Sequence, residues 1–189
     1  MIGRLPTSLE VNSKTYDIRS DYRDCLLILQ AFSDEELTDV EKQTTMLECL
    51  YIDWEDIPQE DVAEAIEKAI WFLNCGDVTN NSKNHNQRPI YDWEQDEQMI
   101  FSSINKVAGT EVRALDYMHF WTFIGLFNEI GEGMFSSVVS IRQKKNKHKK
   151  LEKHEQEFYR ENKNIIDLKR KYTESEQKDL MALDEILGQ

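Results

Sequence analysis

The sequence predicts a mainly α protein: a short N-terminal β-hairpin, a compact helical bundle behind it, and a charged helical C-terminal tail. Three observations predict this. Leu9 and Val11, then Tyr16 and Ile18, alternate with polar residues on either side of Asn12-Ser13, which is the period of a strand pair. Downstream, apolar residues recur at i, i+3 and i+4 behind capping residues, which is the period of helices with one buried face. The charge then changes sign. Residues 1–141 carry 10 basic and 26 acidic residues, whereas residues 142–189 carry 13 basic and 10 acidic. An acidic body over residues 1–141 and a charged tail over 142–189, helical or partly disordered, are expected.

The elements follow in order. The hairpin runs from Leu5 to Ile18 with its turn at Asn12-Ser13. Ser20 or Asp21 caps a first helix with Tyr22, Cys25, Leu26, Leu29 and Phe32 on one stripe. Thr38 and Glu41 have the spacing of a capping box, where hydroxyl and carboxylate each satisfy an orphan amide. That box opens a second helix with Val40, Thr44, Leu47, Leu50 and Tyr51 inward. Pro58 marks the start of a third, with Val62, Ile66, Ala69, Ile70 and Leu73 as its stripe and Gly76 as a left-handed cap. Residues 77–89 are Asn-rich and aperiodic, a mobile loop. Asp92 and Gln95 introduce a fourth helix with Trp93, Ile100, Phe101, Ile104 and Val107, ending at Gly109. An aromatic helix over 116–129 ends at Gly131-Glu132-Gly133, and residues 134–141 form a short apolar helical piece.

Composition removes several classes of function. With 40% hydrophobic and 31% charged residues and a mean hydropathy of −0.64, the chain builds a core and has no apolar run near 18 residues for a membrane helix. Its first residues lack the apolar stretch and cleavage site of a signal peptide. Cys25, Cys49 and Cys75 cannot all pair with one another and sit in apolar surroundings, which fits reduced thiols.

Convergent chemistry is missing from the pattern. His85, His119, His148 and His154 fall in different segments, and no Cys-x-x-Cys is present, so neither a metal nor another cofactor is expected. Neighbouring acids such as Asp53, Glu55 and Asp56 lack the mid-loop glycine of a Ca²⁺ site. They read as solvated helix starts, favoured by the helix dipole. With no phosphate loop or nucleophile elbow either, no enzyme is expected.

Two stretches are candidates for recognition. Tyr117, Phe120, Trp121, Phe123 and Phe127 each carry roughly 150–250 Å² of surface. Together they match one partner's share of a standard interface, about 800 Å². If this helix is a docking face, Phe120, Trp121, Ile124 and Phe127 are its anchors; the simpler alternative is that they form the core of the body. Lys144, Lys145, Lys147, Lys149 and Lys150 form the one dense basic cluster, a solvated face, a phosphate contact or a contact for an acidic protein. Without interleaved aromatics or a groove-reading motif, the cluster and the acidic body argue against nucleic acid as the partner.

Four stretches carry a resemblance. They are Leu5-Pro6-Thr7-Ser8-Leu9-Glu10-Val11 with Tyr16-Asp17-Ile18 and Asp21-Tyr22-Arg23; residues 64–76, Glu-Ala-Ile-Glu-Lys-Ala-Ile-Trp-Phe-Leu-Asn-Cys-Gly; Tyr91-Asp92-Trp93-Glu94-Gln95-Asp96; and residues 119–127, His-Phe-Trp-Thr-Phe-Ile-Gly-Leu-Phe, leading to 135–142. In this order they resemble the bacteriophage gene-product-fifteen family of tailed phages. Phe120 stands where an aromatic pair Trp-Trp is more usual, and the tail after about Tyr172 has no counterpart. The resemblance implies a non-catalytic tail assembly chaperone in the cytoplasm of the bacterial host. Its implied partners are the tape-measure protein and the tail tube protein, with a homo-oligomer left open and no membrane involved. A structural virion component of the tail or head–tail junction, or a nucleic-acid-binding phage regulator, are the alternatives. No binding residue is carried over from the family.

Overall fold

The structure, a computed structural model, describes residues 2–77 and 89–169. The mobile loop expected over 77–89 lies almost wholly outside the described residues, as does the tail from residue 170 onward. The chain opens with β1 (Ser8–Val11) and β2 (Lys14–Asp17), paired antiparallel with Leu9 opposite Tyr16. Asn12 and Ser13 both take positive φ, 46° and 65°, which the tight turn of a two-residue hairpin requires. Asn12 tolerates that conformation and is tied down: its backbone N–H donates to Glu64 and its side chain to Asp61. Leu9, Val11, Tyr16 and Ile18 are all buried, as their alternation requires.

Helix α1 (Tyr22–Ser33) is capped by Asp21, whose carboxylate accepts the Arg23 N–H at 2.9 Å. Helix α2 (Asp39–Leu50) starts on the Thr38/Glu41 capping box, both halves formed. Two 3₁₀ turns (Trp54–Asp56 and Gln59–Asp61) lead into α3 (Val62–Leu73), and α4 spans Glu97–Ala108, closed by Gly109 at φ 71°. A further 3₁₀ turn (Val112–Ala114) precedes α5 (Phe120–Asn128); α6 (Met134–Asn146), α7 (Lys153–Glu161) and α8 (Lys163–Ile166) complete the described chain. The hairpin, α1–α5 and Phe135 of α6 enclose one core. A second, small cluster joins Val138 and Ile141 of α6 to Ile166 of α8.

The inward stripes differ from the expected ones in a consistent way. On α1 the buried residues are Tyr22, Cys25 and Ile28, while Phe32 at the helix end is exposed. On α2 only the last two turns reach the core, through Met46, Leu47 and Leu50, and Val40 is 71% exposed. On α3 the stripe is Ala65, Ala69 and Phe72, and Ile70 faces outward. The two alanines let α3 approach closely enough for the Tyr51 hydroxyl to donate to the Ala65 carbonyl at 2.8 Å. Assigning the bulkiest aliphatic side chains inward misses a face chosen for close approach.

Helix α6 runs unbroken across residues 141 and 142, and Ile141 and Arg142 are both buried. The apolar piece expected over 134–141 is thus the first half of a longer helix. Residues 147–169, which include α7 and α8, form an arm that folds back onto α6 and onto the start of α4.

Candidate functional site

The aromatic helix α5 is positioned from both ends of its entry segment. Extended residues 18–21 pair with Tyr51 on one side and His119 on the other. The Phe120 N–H donates to the Ser20 carbonyl at 2.8 Å, and the Tyr22 N–H donates to the Met118 carbonyl at 3.0 Å. His119 is buried and caps α5: its Nδ1 accepts the Trp121 N–H at 3.0 Å, while Nε2 lies 2.9 Å from the Pro6 carbonyl oxygen. These contacts suit an imidazole protonated on Nε2, a structural use of the side chain.

The four proposed anchors do not form one exposed face. Phe120 is fully buried against Phe72, with ring centroids 6.0 Å apart. Trp121 is half-buried; its Nε1 donates to the Phe72 carbonyl at 2.8 Å and its ring meets Trp71 edge-on at 5.5 Å. Gly76, at φ 83°, passes under that ring so closely that an added Cβ would lie 3.1 Å from it. Phe127 points the other way, into a cluster with Tyr91, Trp93 and Phe135. Ile124 is half-buried against the core. Most of the aromatic surface is therefore spent inside the body.

An open groove lies beside this helix, between α4 and the turn that leads into α6. It holds about 540 Å³ and is lined by Met99, Ser103, Lys106, Val107, Ile130 and Met134 among others. Val107 and Met134 are 39% and 42% exposed there. Gly131 and Gly133 form part of its wall. Neither has a positive φ, and a Cβ on either would meet nothing within 4 Å. The fold of the chain thus gives no reason for glycine at those two places; their effect is to keep the groove wide.

The basic cluster divides. Lys144 reaches Glu155 at 2.6 Å, and Lys145 pairs with Asp167 while donating to the Tyr159 hydroxyl at 2.7 Å. Burial pushes the Asp167 carboxyl up, but hydrogen bonds from Lys145 and Tyr159 outweigh it and hold the group below the usual range. Lys147, Lys149 and Lys150 remain exposed on the turn between α6 and α7. Two of the five lysines fasten the arm and three face solvent.

The most constrained polar site is one that sequence reasoning passed over. Arg142 is buried and uses all five donors: to both oxygens of buried Asp96, and to the carbonyls of Ile90, Ile165 and Ile166. Asp96 Oδ2 also accepts the Asp92 N–H at 3.0 Å. One side chain therefore joins the segment before α4, α4 itself, α6 and the arm. The signal was present in the spacing, because Arg142 stands at i+4 from Val138 and directly after Ile141, on the inward face of α6.

No group of three or more His, Cys, Asp or Glu side chains among the described residues is placed to hold a metal ion. Burial raises the thiol pKa of Cys25, Cys49 and Cys75, which suits packed thiols rather than nucleophiles. No helix among the described residues is long and apolar enough to cross a membrane.

A family model described as Bacteriophage Gp15 protein matches residues 1–168. The chain belongs to this phage family. No curated protein and no solved structure matches it. The span matched to the phage family includes α7, α8 and the two arm carbonyls that Arg142 binds, so it takes in the arm together with the body.

Proposed function

We propose that this phage protein is a non-catalytic tail assembly chaperone, which binds the tape-measure protein in the host cytoplasm and assists assembly of the tail tube around it. Membership of the phage family supports the setting. The observation that carries the mechanism is the groove between α4 and Ile130–Met134. A long helical client with an exposed apolar stripe aggregates before it is enclosed. An open apolar groove edged with polar groups reads such a stripe at i, i+3, i+4 and i+7. Met99 and Met134 suit that task, because unbranched thioethers adapt to varied partners. The acidic surface of the body, with 26 acidic residues before residue 142, keeps the complex in solution.

The test is co-expression with the tape-measure protein. The expected result is a soluble complex that Val107→Asp weakens at least tenfold without unfolding the chain, and no copies of the chain in purified particles. Retention in particles at fixed stoichiometry would make it a structural component instead. Exposed Lys147, Lys149 and Lys150 favour a third reading, contact with nucleic acid, only if binding falls steeply with salt and disappears when all three become Gln.

A further inference from the structure

The described chain ends beside the groove. The Lys169 N–H donates to Gln95 Oε1 at 2.8 Å, and Gln95 Nε2 donates to the Asp167 carbonyl at 3.0 Å. Gln95 lies one turn before Gln98 and Met99, which open the groove on the same side of the molecule. The twelve residues of α4 span about 18 Å. Beyond Lys169 the sequence continues for 20 residues. Ten of them, 170–179, separate Lys169 from Leu180 and reach about 33 Å when extended. After that span come Leu180, Leu183 and Leu187, at i, i+3 and i+7, interleaved with Asp179, Asp184 and Glu185.

We propose that the chain's own C-terminal segment occupies this groove in the free protein, with Leu180, Leu183 and Leu187 against Met99, Val107, Ile130 and Met134. Three independent features fit that occupant. The segment leaves the body next to the groove, with slack enough to reach its whole length. Its leucine spacing matches the groove's apolar lining, and its acids suit Lys106 on the rim. Gly131 and Gly133 leave room for a ligand that approaches the backbone closely, which nothing in the described fold otherwise uses. Tethering also sets a high effective concentration, so that a weak contact is filled without tight affinity. The segment then shields the groove from self-association until a client helix displaces it. That last consequence rests on the chaperone reading, whereas the occupancy itself belongs to the free chain.

The measurement uses the full chain at low micromolar concentration, with labelled methionine and leucine methyl groups observed by NMR. The expected result is cross-relaxation between Leu183 or Leu187 methyls and those of Met99 and Met134. Leu183→Asp with Leu187→Asp should abolish it, shifting both methionine signals while buried Met46 stays fixed as a report of folding. Unchanged Met99 and Met134 signals in the double variant would overturn the proposal. So would cross-relaxation seen only between differently labelled chains, which would assign the groove to a second copy. Failure to bind the tape-measure protein would leave these free-chain signals as they are, so the two readings fail separately.

Discussion

The body and the arm of this protein are held together by different physics. The body closes around a continuous apolar core in which Tyr22, Tyr51, Phe72, Phe120 and Phe123 are fully buried, and rings stack from the hairpin to α5. The arm shares only Val138, Ile141 and Ile166 as buried apolar contacts, and is otherwise fastened by Arg142, Lys144 and Lys145. Buried area is non-directional and indifferent to pH, and it fails when a cavity is made. Directional polar contacts fail when one partner is removed, because the other is left buried without compensation. The two regions should therefore break separately, by different substitutions.

The largest effect is expected in the body. Phe72 touches the rings of His119, Phe120 and Trp121, and its carbonyl receives the Trp121 indole. Phe72→Ala should cost about 3–5 kcal/mol through lost transfer energy and a cavity that rigid neighbours cannot fill. Against a total of about 5–15 kcal/mol for a domain, that is a large share of the stability. The urea midpoint of the whole protein should fall, with the body and the arm lost together. A midpoint within error of the parent would show that the aromatic cluster is not what holds the body.

Arg142→Ala comes second and should separate the regions. It strips Asp96 of its counter-charge and leaves the carbonyls of Ile90, Ile165 and Ile166 without their donor. Breaking a buried pair from one side costs about 3–5 kcal/mol. The lower end is expected here, since a loosened arm admits water to Asp96. Hydrogen exchange should show protection lost over residues 153–166 and kept in α1 and α3. Equal loss in α1 and α3 would mean that the ion pair holds the body rather than the arm.

What was legible in the sequence follows the same division. Local rules placed the hairpin, the Thr38 capping box, the Gly109 terminus and the order of helices, because each rests on a few adjacent residues whose geometry is nearly self-sufficient. Burial along each stripe was less legible. Ala65 and Ala69 face inward and Ile70 outward because α3 must come close to Tyr51, a requirement set by a neighbour and not by hydrophobicity. The aromatic helix had two readings, and the packing of Phe120 and Phe127 shows how much of it the core uses. The arm was least legible. A run of lysines looks the same whether it faces water or, as with Lys144 and Lys145, meets acids 11 and 22 residues further along. The groove could not be read at all, since it is made by what Gly131 and Gly133 leave out.

The smallest effect tests whether the arm is the pH-sensitive region. Hydrogen bonding from Lys144 lowers the Glu155 carboxyl, and the Lys145 and Tyr159 contacts lower that of Asp167 despite its burial. Both groups therefore bind protons less readily in the folded chain, so their contribution is present above the ordinary carboxylate value of about 4 and is lost as pH falls below it. Lys145 goes the opposite way. Burial lowers its pKa, but the bonds to Asp167 and Tyr159 outweigh that, so its contribution is complete below about 10.4 and is lost as pH rises past the raised value. The arm should thus be tightest between about pH 4 and pH 10. These pairs are partly exposed, so added salt should weaken them as well. The body has lowered carboxylates of its own at Glu41 and Glu111, but they sit on an exposed cap and an exposed turn rather than across the core. On acidification the methyl signals of Ile141 and Ile166 should therefore broaden before those of Ile28 and Ile104. Lys145→Gln should reduce that difference by removing the charge that Asp167 faces. Parallel broadening at all four positions would show that arm and body are one cooperative unit, with Arg142 binding them more strongly than the lysines let them part.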